Sequence, residues 1–492
     1  MVVTMLVGLK AAPWLVHWLG KKQYGGFRVL NDAQGYLTLL ELGLGGALGP
    51  LLARAAGTGD ERGLRETLAA GLRAYARVVL ITLGVGLALT PLVPWFASDL
   101  SAEEAADLRM GWLVGLAACP TVLLLPMRTV LEARQRGYVV NLLLTGQAVA
   151  ITGMSLALAW AGWGITGQAT AQVFGLWGFS LLLAYGVLRG EPGLLRAAIT
   201  TPTSGETRAA LSRLSWPTLL LNLSGRLGLL TDNLVVGGVR GTAAVTSLVN
   251  TSRLPMIGQG LLQGVGGASW AALAELDAQG DRETFNRRLI EMTRMVAVLG
   301  VTGLVPVVAF NRAFVNVWMG PEFPYGGDLV AILAAVNAVL LAEQSLWAWS
   351  FSATGKVREV IAPAVAAALV NVAASVALTY RIGLAGPLLG STIGFAAVGL
   401  WALPWRLRVV FGTSIQGLAR AMGVPCATGA IAGWGLYVLV RWYEPRGWVE
   451  VLAGMSLSGL AMLALSFLTL LTSEDRALWR GRIRGLMPGS GS

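Results

Sequence analysis

In the 492-residue chain, the stretch "LNLSGRLGLLTDNLVVGG" (221–238) is apolar enough to lie in a membrane, yet it holds Arg226 and, six residues later, Asp232. On a helix, Ser215, Thr218, Asn222, Arg226 and Asn233 share one face at spacings of three, four, four and seven. A polar stripe with one cation faces a water-filled cavity more readily than lipid. A guanidinium in such a cavity can offer a phosphate two parallel charge-assisted hydrogen bonds. Arg226, flanked by Asn222 and Asn233, is therefore the candidate centre for an anionic substrate, with Arg253 of the next apolar segment as a second cation.

Lys10 and Asp32 also interrupt apolar runs. At a spacing of 221 residues, Asp32 corresponds to Arg253; with one residue of slack, Lys10 corresponds to Asp232. An isolated charge at mid-membrane costs about 2.5–3.5 kcal/mol on insertion scales, a cost that pairing or a wet cavity relieves. Lys10, Asp32, Asp232 and Arg253 are thus candidates for an outer gate whose opposite charges pair as a cleft closes. Pairing within one lobe, as between Arg28 and Asp32 at i and i+4, is the alternative. Glu41 and Glu343 are mid-helix carboxylates that could carry protons or serve as structural hydrogen-bonding groups.

These residues need a membrane scaffold, and the composition supplies it. Hydrophobic residues make up 55% of the chain and charged residues 13%, with a mean hydropathy of +0.65. About 20 helical residues cross ~30 Å of hydrocarbon, and apolar runs of that length recur from end to end. The sequence predicts an all-α polytopic membrane protein of about fourteen transmembrane helices. Those that carry Lys10, Asp32, Glu41, Arg226, Asp232 and Arg253 span 1–18, 25–53, 213–239 and 242–273, and Glu343 lies in 326–351. The net charge of +11 does not point to nucleic acid, because Lys and Arg concentrate in the even-numbered connections and the C-terminal tail. That positive-inside bias predicts a cytoplasmic (inner) membrane location with both termini in the cytoplasm. Cys119 and Cys426 read as small apolar side chains, and no cofactor or metal is implied.

An internal repeat organises the helices. "GLGGALGPLLARAAGTGD" (43–60) aligns without gaps on "GVGGASWAALAELDAQGD" (264–281), with eight identities in eighteen positions. Gly164 and Gly167 correspond in the same way to Gly383 and Gly386. The expected organisation is an N-lobe of six helices (1–190), a cytoplasmic linker (191–212), a pseudo-symmetric C-lobe of six helices (213–408), two appended helices (409–472) and a cytoplasmic tail (473–492). Paired six-helix halves are a transporter architecture.

The segments "GYLTLLELGLGGALGPLLARAAGTGD" (35–60), "SRLPMIGQGLLQGVGGASWAALAELDAQGD" (252–281), "FVNVWMGPEF" (314–323) and "GITGQA" (164–169) resemble the polysaccharide and lipid-linked oligosaccharide flippases of the multidrug/oligosaccharidyl-lipid/polysaccharide exporter superfamily, which also holds the MATE antiporters. The Wzx-type O-antigen flippases and the related lipid II flippases are the nearest in pattern. The resemblance implies a V-shaped pair of six-helix bundles that alternates access and moves an undecaprenyl-diphosphate-linked glycan to the external leaflet. It implies membrane lipids, and the polysaccharide polymerase and export machinery, as partners. Fourteen helices suit the lipid II branch, whose last two helices resemble a path for the lipid tail. Arg253 of "SRLP" matches an arginine of that branch's eighth helix.

Two other classes compete. A MATE-like cation-coupled multidrug antiporter shares the fold but should place acidic rather than basic residues in its cavity. A membrane glycosyltransferase or polymerase needs catalytic carboxylates or histidines on a sizeable external loop, whereas the longest external connection is about 15 residues and His17 is the sole histidine. A non-enzyme is expected. No GxxxxGK[ST] phosphate loop is present, so ATP is not expected to drive transport directly.

Overall fold

The computed structural model describes residues 2–37, 39–190, 193, 196, 200–268, 270–323 and 325–470. The expected tail (473–492) and part of the linker lie outside the described residues. The described chain is helical throughout, without a strand. In chain order the helices are α1 (Val2–Leu37), α2 (Leu39–Gly57), α3 (Glu61–Leu89), α4 (Ala102–Leu116), α5 (Leu125–Ala133), α6 (Gly137–Trp160), α7 (Gly164–Gly190), α8 (Gly205–Arg240), α9 (Thr242–Ala268), α10 (Trp270–Gln279), α11 (Arg282–Met319), α12 (Asp328–Ala353), α13 (Arg358–Ile382), α14 (Ala385–Gly394), α15 (Leu400–Phe411), α16 (Ile415–Tyr443) and α17 (Trp448–Thr469). α1 is broken at Gly20, whose φ of 74° and ψ of 168° end one helical stretch and start another. The break falls where the sequence separates its first two helices.

Ten helical spans among the described residues are long and apolar enough to cross a membrane. Fourteen were expected. The segments that miss this threshold, in α1, α2, α8 and α9, are those expected to carry Lys10, Asp32, Arg226, Asp232 and Arg253. They are helical as expected.

The repeat is written in the backbone. Gly20 and Gly241, 221 residues apart, both have positive φ (74° and 86°), as do Gly59 and Gly280 (69° and 73°), Gln135 and Gly355 (60° and 73°), and Gly164 and Gly383 (55° and 68°). Asp60 caps α3 by accepting a hydrogen bond from Gly63 N (2.8 Å), and its repeat mate Asp281 caps α11 by accepting one from Thr284 N (3.0 Å). The Thr284 amide and hydroxyl hold the Asp281 carboxyl below the usual carboxylate range. Each cap satisfies an orphan amide at the start of a long helix.

By contact the chain forms two compact units, Met1–Val249 with Val360–Gly394, and Asn250–Glu359 with Phe395–Ser492. α8, which the repeat groups with the second half, packs on α1 and α2 inside the first unit. The first unit has a core around Leu48, Leu52, Leu68, Tyr75 and Phe179, and a second around Leu30, Leu108, Trp112 and Ile165. Trp112 Nε1 donates to Gly86 O at 2.8 Å, satisfying a buried indole. Two carboxylates from outside the capped helices close this unit's helix ends. Asp99 accepts from Thr242 N (2.6 Å) and Ala243 N (3.3 Å) at the start of α9; Asp107 accepts from Ile165 N (2.6 Å) and Thr166 N (3.1 Å) at the start of α7. In the second unit, α11 packs against α12, α16 and α17, so the two C-terminal helices are integral to it.

Candidate functional site

α1 and α8 lie side by side in the first unit and carry a polar cluster between them. Asn233 Nδ2 donates to Asp32 Oδ2 at 2.6 Å, and one turn along, the hydroxyls of Tyr36 and Thr231 share a 2.6 Å hydrogen bond. Asp32 and Tyr36 are at i and i+4 on α1, while Thr231 and Asn233 bracket Asp232 on α8, so one pair of helix faces supplies the whole cluster. Asp32 is buried, and Arg28, one turn earlier on α1, acts on it electrostatically. Oδ1 of Asp232 is buried with no hydrogen-bond partner among the described residues. Asp232 also feels the charge of Asp32. Two carboxylates that share a low-dielectric site, with Arg28 acting on one of them, have the chemistry to take up a proton or a small cation.

Beside this cluster is a cavity of about 500 Å³. Its wall draws on α1 (Asn31, Gln34), α3 (Thr82), the turn before α5 (Thr121), α5 (Arg128), α6 (Gln147) and α7 (Gln172). Contributions from this many helices make it a lumen within the bundle and not a surface groove. Gln172 Nε2 donates to Asn31 Oδ1 (3.0 Å), and Gln34 Nε2 donates to Trp112 O (3.4 Å).

The sequence-derived candidates divide as follows. Asp32, Asp232 and Asn233 are brought together. Lys10 is exposed on the first stretch of α1. Arg253 is half-buried on the part of α9 that belongs to the second unit. Glu343 is also in the second unit, on α12, with 0% exposure and no hydrogen-bond partner for either carboxylate oxygen among the described residues. The side chains of Glu41, Asn222 and Arg226 lie outside the described residues. Tyr36, Thr231 and the four amides Asn31, Gln34, Gln147 and Gln172 were not singled out from sequence. Their signal was present as uncharged polar residues at helical spacing in apolar helices, such as Gln168 and Gln172 on α7.

No family model matches the chain. A Deinococcus radiodurans protein named "Probable multidrug resistance protein NorM" is 26% identical over 398 residues, covering 78% of this chain and 84% of that protein. Among solved structures, a lipid II flippase MurJ in an inward closed conformation matches with a TM-score of 0.69 at 14% identity, covering 95% of this chain and 98% of that one. An inward-facing multidrug resistance MATE family transporter of the MOP superfamily matches with a TM-score of 0.64 at 17% identity, covering 85% of this chain and 96% of that one. The chain therefore has the fold of the multidrug/oligosaccharidyl-lipid/polysaccharide exporter superfamily, as its sequence motifs anticipated. With ten described spans long and apolar enough to cross a membrane, this is a multi-pass membrane fold.

Proposed function

We propose that the protein is a flippase that moves an undecaprenyl-diphosphate-linked oligosaccharide across the cytoplasmic membrane by alternating access. The observation that carries this reading is the extent of the structural match. The flippase match covers 95% of the chain and the MATE match 85%, a difference about the size of α16 and α17 together. In the second unit those two helices pack on α11 as part of the fold. In this reading Arg226 receives the diphosphate, flanked by Asn222, Asn233 and Arg253, and the Asp32–Asp232 pair takes up the coupling proton or cation. Membrane lipids and the polysaccharide polymerase or export machinery are the expected partners.

A second reading, a cation-coupled multidrug antiporter, is favoured by one specific observation. The charges brought together on α1 and α8 are carboxylates, with Asn233 rather than a cation bonded to Asp32, and a NorM-type protein is the sequence relative. Complementation separates the two. Flippase-deficient cells receive wild type, Arg226→Ala or Arg226→Lys at matched membrane expression, and lipid-linked glycan is assayed in each leaflet. Rescue by wild type, failure of Ala and partial function of Lys support the diphosphate site. Equal rescue by all three removes Arg226 from the mechanism, and failure of wild type favours the antiporter.

A further inference from the structure

The lumen of the first unit has a chemistry that neither the diphosphate nor a coupling ion uses. Amides line it from three separate helices: Asn31 and Gln34 on α1, Gln147 on α6 and Gln172 on α7. Hydroxyls of Thr121 and Ser180 join them; the one charged side chain on the wall, Arg128, is paired with Glu132 at 2.8 Å, and no carboxylate lines the wall. An amphiphilic cation finds no counter-charge there. A sugar ring presents hydroxyls that both donate and accept, and Asn and Gln are the uncharged side chains that do both.

Three of the amides are held in place. Gln172 is bonded to Asn31, and Gln34 lies across Gly115, anchored on the carbonyls of Gly111 and Trp112. The missing side chain at Gly115 is what makes room for it, since a Cβ there would collide with the Gln34 amide. Such bonds could be helix-to-helix glue. Gln147 is different: it lines the cavity and makes no hydrogen bond among the described residues, so glue does not explain it. An uncharged polar group left open on the wall of a cavity of about 500 Å³, within the ~300–1,000 Å³ range of ligand pockets, calls for a polar occupant.

We infer that this amide-lined lumen of the first unit is a binding subsite for an uncharged, hydroxyl-rich sugar moiety. The inference rests on the flippase reading and assigns the part of the substrate that the diphosphate-binding residues do not touch.

The test compares two probes on the purified full-length protein: farnesyl diphosphate, and the same lipid diphosphate bearing one N-acetylglucosamine. Wild type should bind the sugar-bearing probe about tenfold more tightly, the worth of one or two buried hydrogen bonds. Gln147→Leu and Gln172→Leu should erase that preference while leaving farnesyl diphosphate binding unchanged. Equal binding of the two probes by wild type, or a preference that survives both substitutions, overturns the subsite but leaves the flippase reading intact. Binding of neither probe overturns both. A second readout needs no substitution in the lumen. Cys119 lines the same cavity, and in a Cys426→Ser background it is the sole cysteine. The sugar-bearing probe should slow its alkylation by N-ethylmaleimide severalfold and farnesyl diphosphate should not. Protection by both probes alike, or by ethidium instead, contradicts a sugar site.

Discussion

The two compact units differ in what fills them. In the first, uncharged amides, a carboxylate pair and two tyrosine- and threonine-borne hydroxyls converge between helices, and the cavity wall mixes Asn, Gln and Thr with apolar residues. In the second, a cavity of about 420 Å³ between α11, α12 and α16 is lined by residues such as Val301, Leu304, Val336 and Ala430, and the one fully buried carboxylate, Glu343, stands without a hydrogen-bond partner among the described residues. The repeated turns and caps show that the backbone plan was duplicated. The cavity wall of the first unit mixes polar and apolar side chains, whereas that of the second is almost wholly apolar, although the second unit also buries Asn311, Asn337 and Glu343.

Transport gives the largest expected contrast. Asp32→Asn and Asp232→Asn should each reduce it by about tenfold or more at normal expression, because removing one charge of a buried site costs on the order of 2–5 kcal/mol. Leaflet-resolved transport measures this, and unimpaired turnover by both variants would remove the carboxylate pair from the coupling step.

Stability should separate the units next. A Cβ at Gly390 would fall 2.6 Å from Ser375 Cα, whereas one at Gly433 would sit 3.4 Å from Val305 at the edge of the apolar cavity. Gly390→Ala should therefore cost about 1–3 kcal/mol by overpacking. Gly433→Ala should be neutral, or stabilising by up to about 1 kcal/mol through its helix propensity. Thermal unfolding in detergent measures both. The same assay tests the isolated carboxylate: Glu343→Leu should raise the unfolding midpoint, since an unpaired buried polar group is replaced by an apolar one.

A smaller effect is expected at the helix caps. Asp99→Ala should lower stability by about 0.5–2 kcal/mol through the lost cap of α9. Smallest of all is Asp281. Its folded-state carboxyl is held below the usual range, so its contribution is present above the unfolded pKa of about 3.9 and is lost as pH falls through the lower folded value. Asp281→Asn should remove that part of the acid dependence, read as a flatter plot of unfolding midpoint against pH below about pH 4.

The sequence carried much of this fold for physical reasons that can be named. Charges inside apolar runs stand out because a bilayer penalises them, which is how Asp32, Asp232 and Asn233 came to notice before α1 and α8 were seen to meet. The repeat at 43–60 and 264–281 ends on Asp60 and Asp281, and both cap the helix that follows, where a short polar side chain is required. The amides of the lumen escaped because Asn31, Gln34, Gln147 and Gln172 are scattered over more than a hundred residues, carry no charge and gain meaning only when α1, α6 and α7 are brought around one cavity. The hydrogen-bond partner of Asp32, Asn233, is an uncharged group that charge patterning alone does not pair with it, while Arg28, four residues earlier, acts on Asp32 from its own helix.

The central claim is that the polar first unit serves a lipid-linked glycan. It is tested most directly in proteoliposomes holding the purified protein, by following side by side the flipping of a fluorescent lipid-diphosphate-linked oligosaccharide and the movement of ethidium down an imposed proton or sodium gradient. The account predicts protein-dependent flipping of the lipid-linked sugar that Asp32→Asn suppresses, with no gradient-driven ethidium transport. Ethidium transport lost in Asp32→Asn, with no flipping of the glycan lipid, would contradict it.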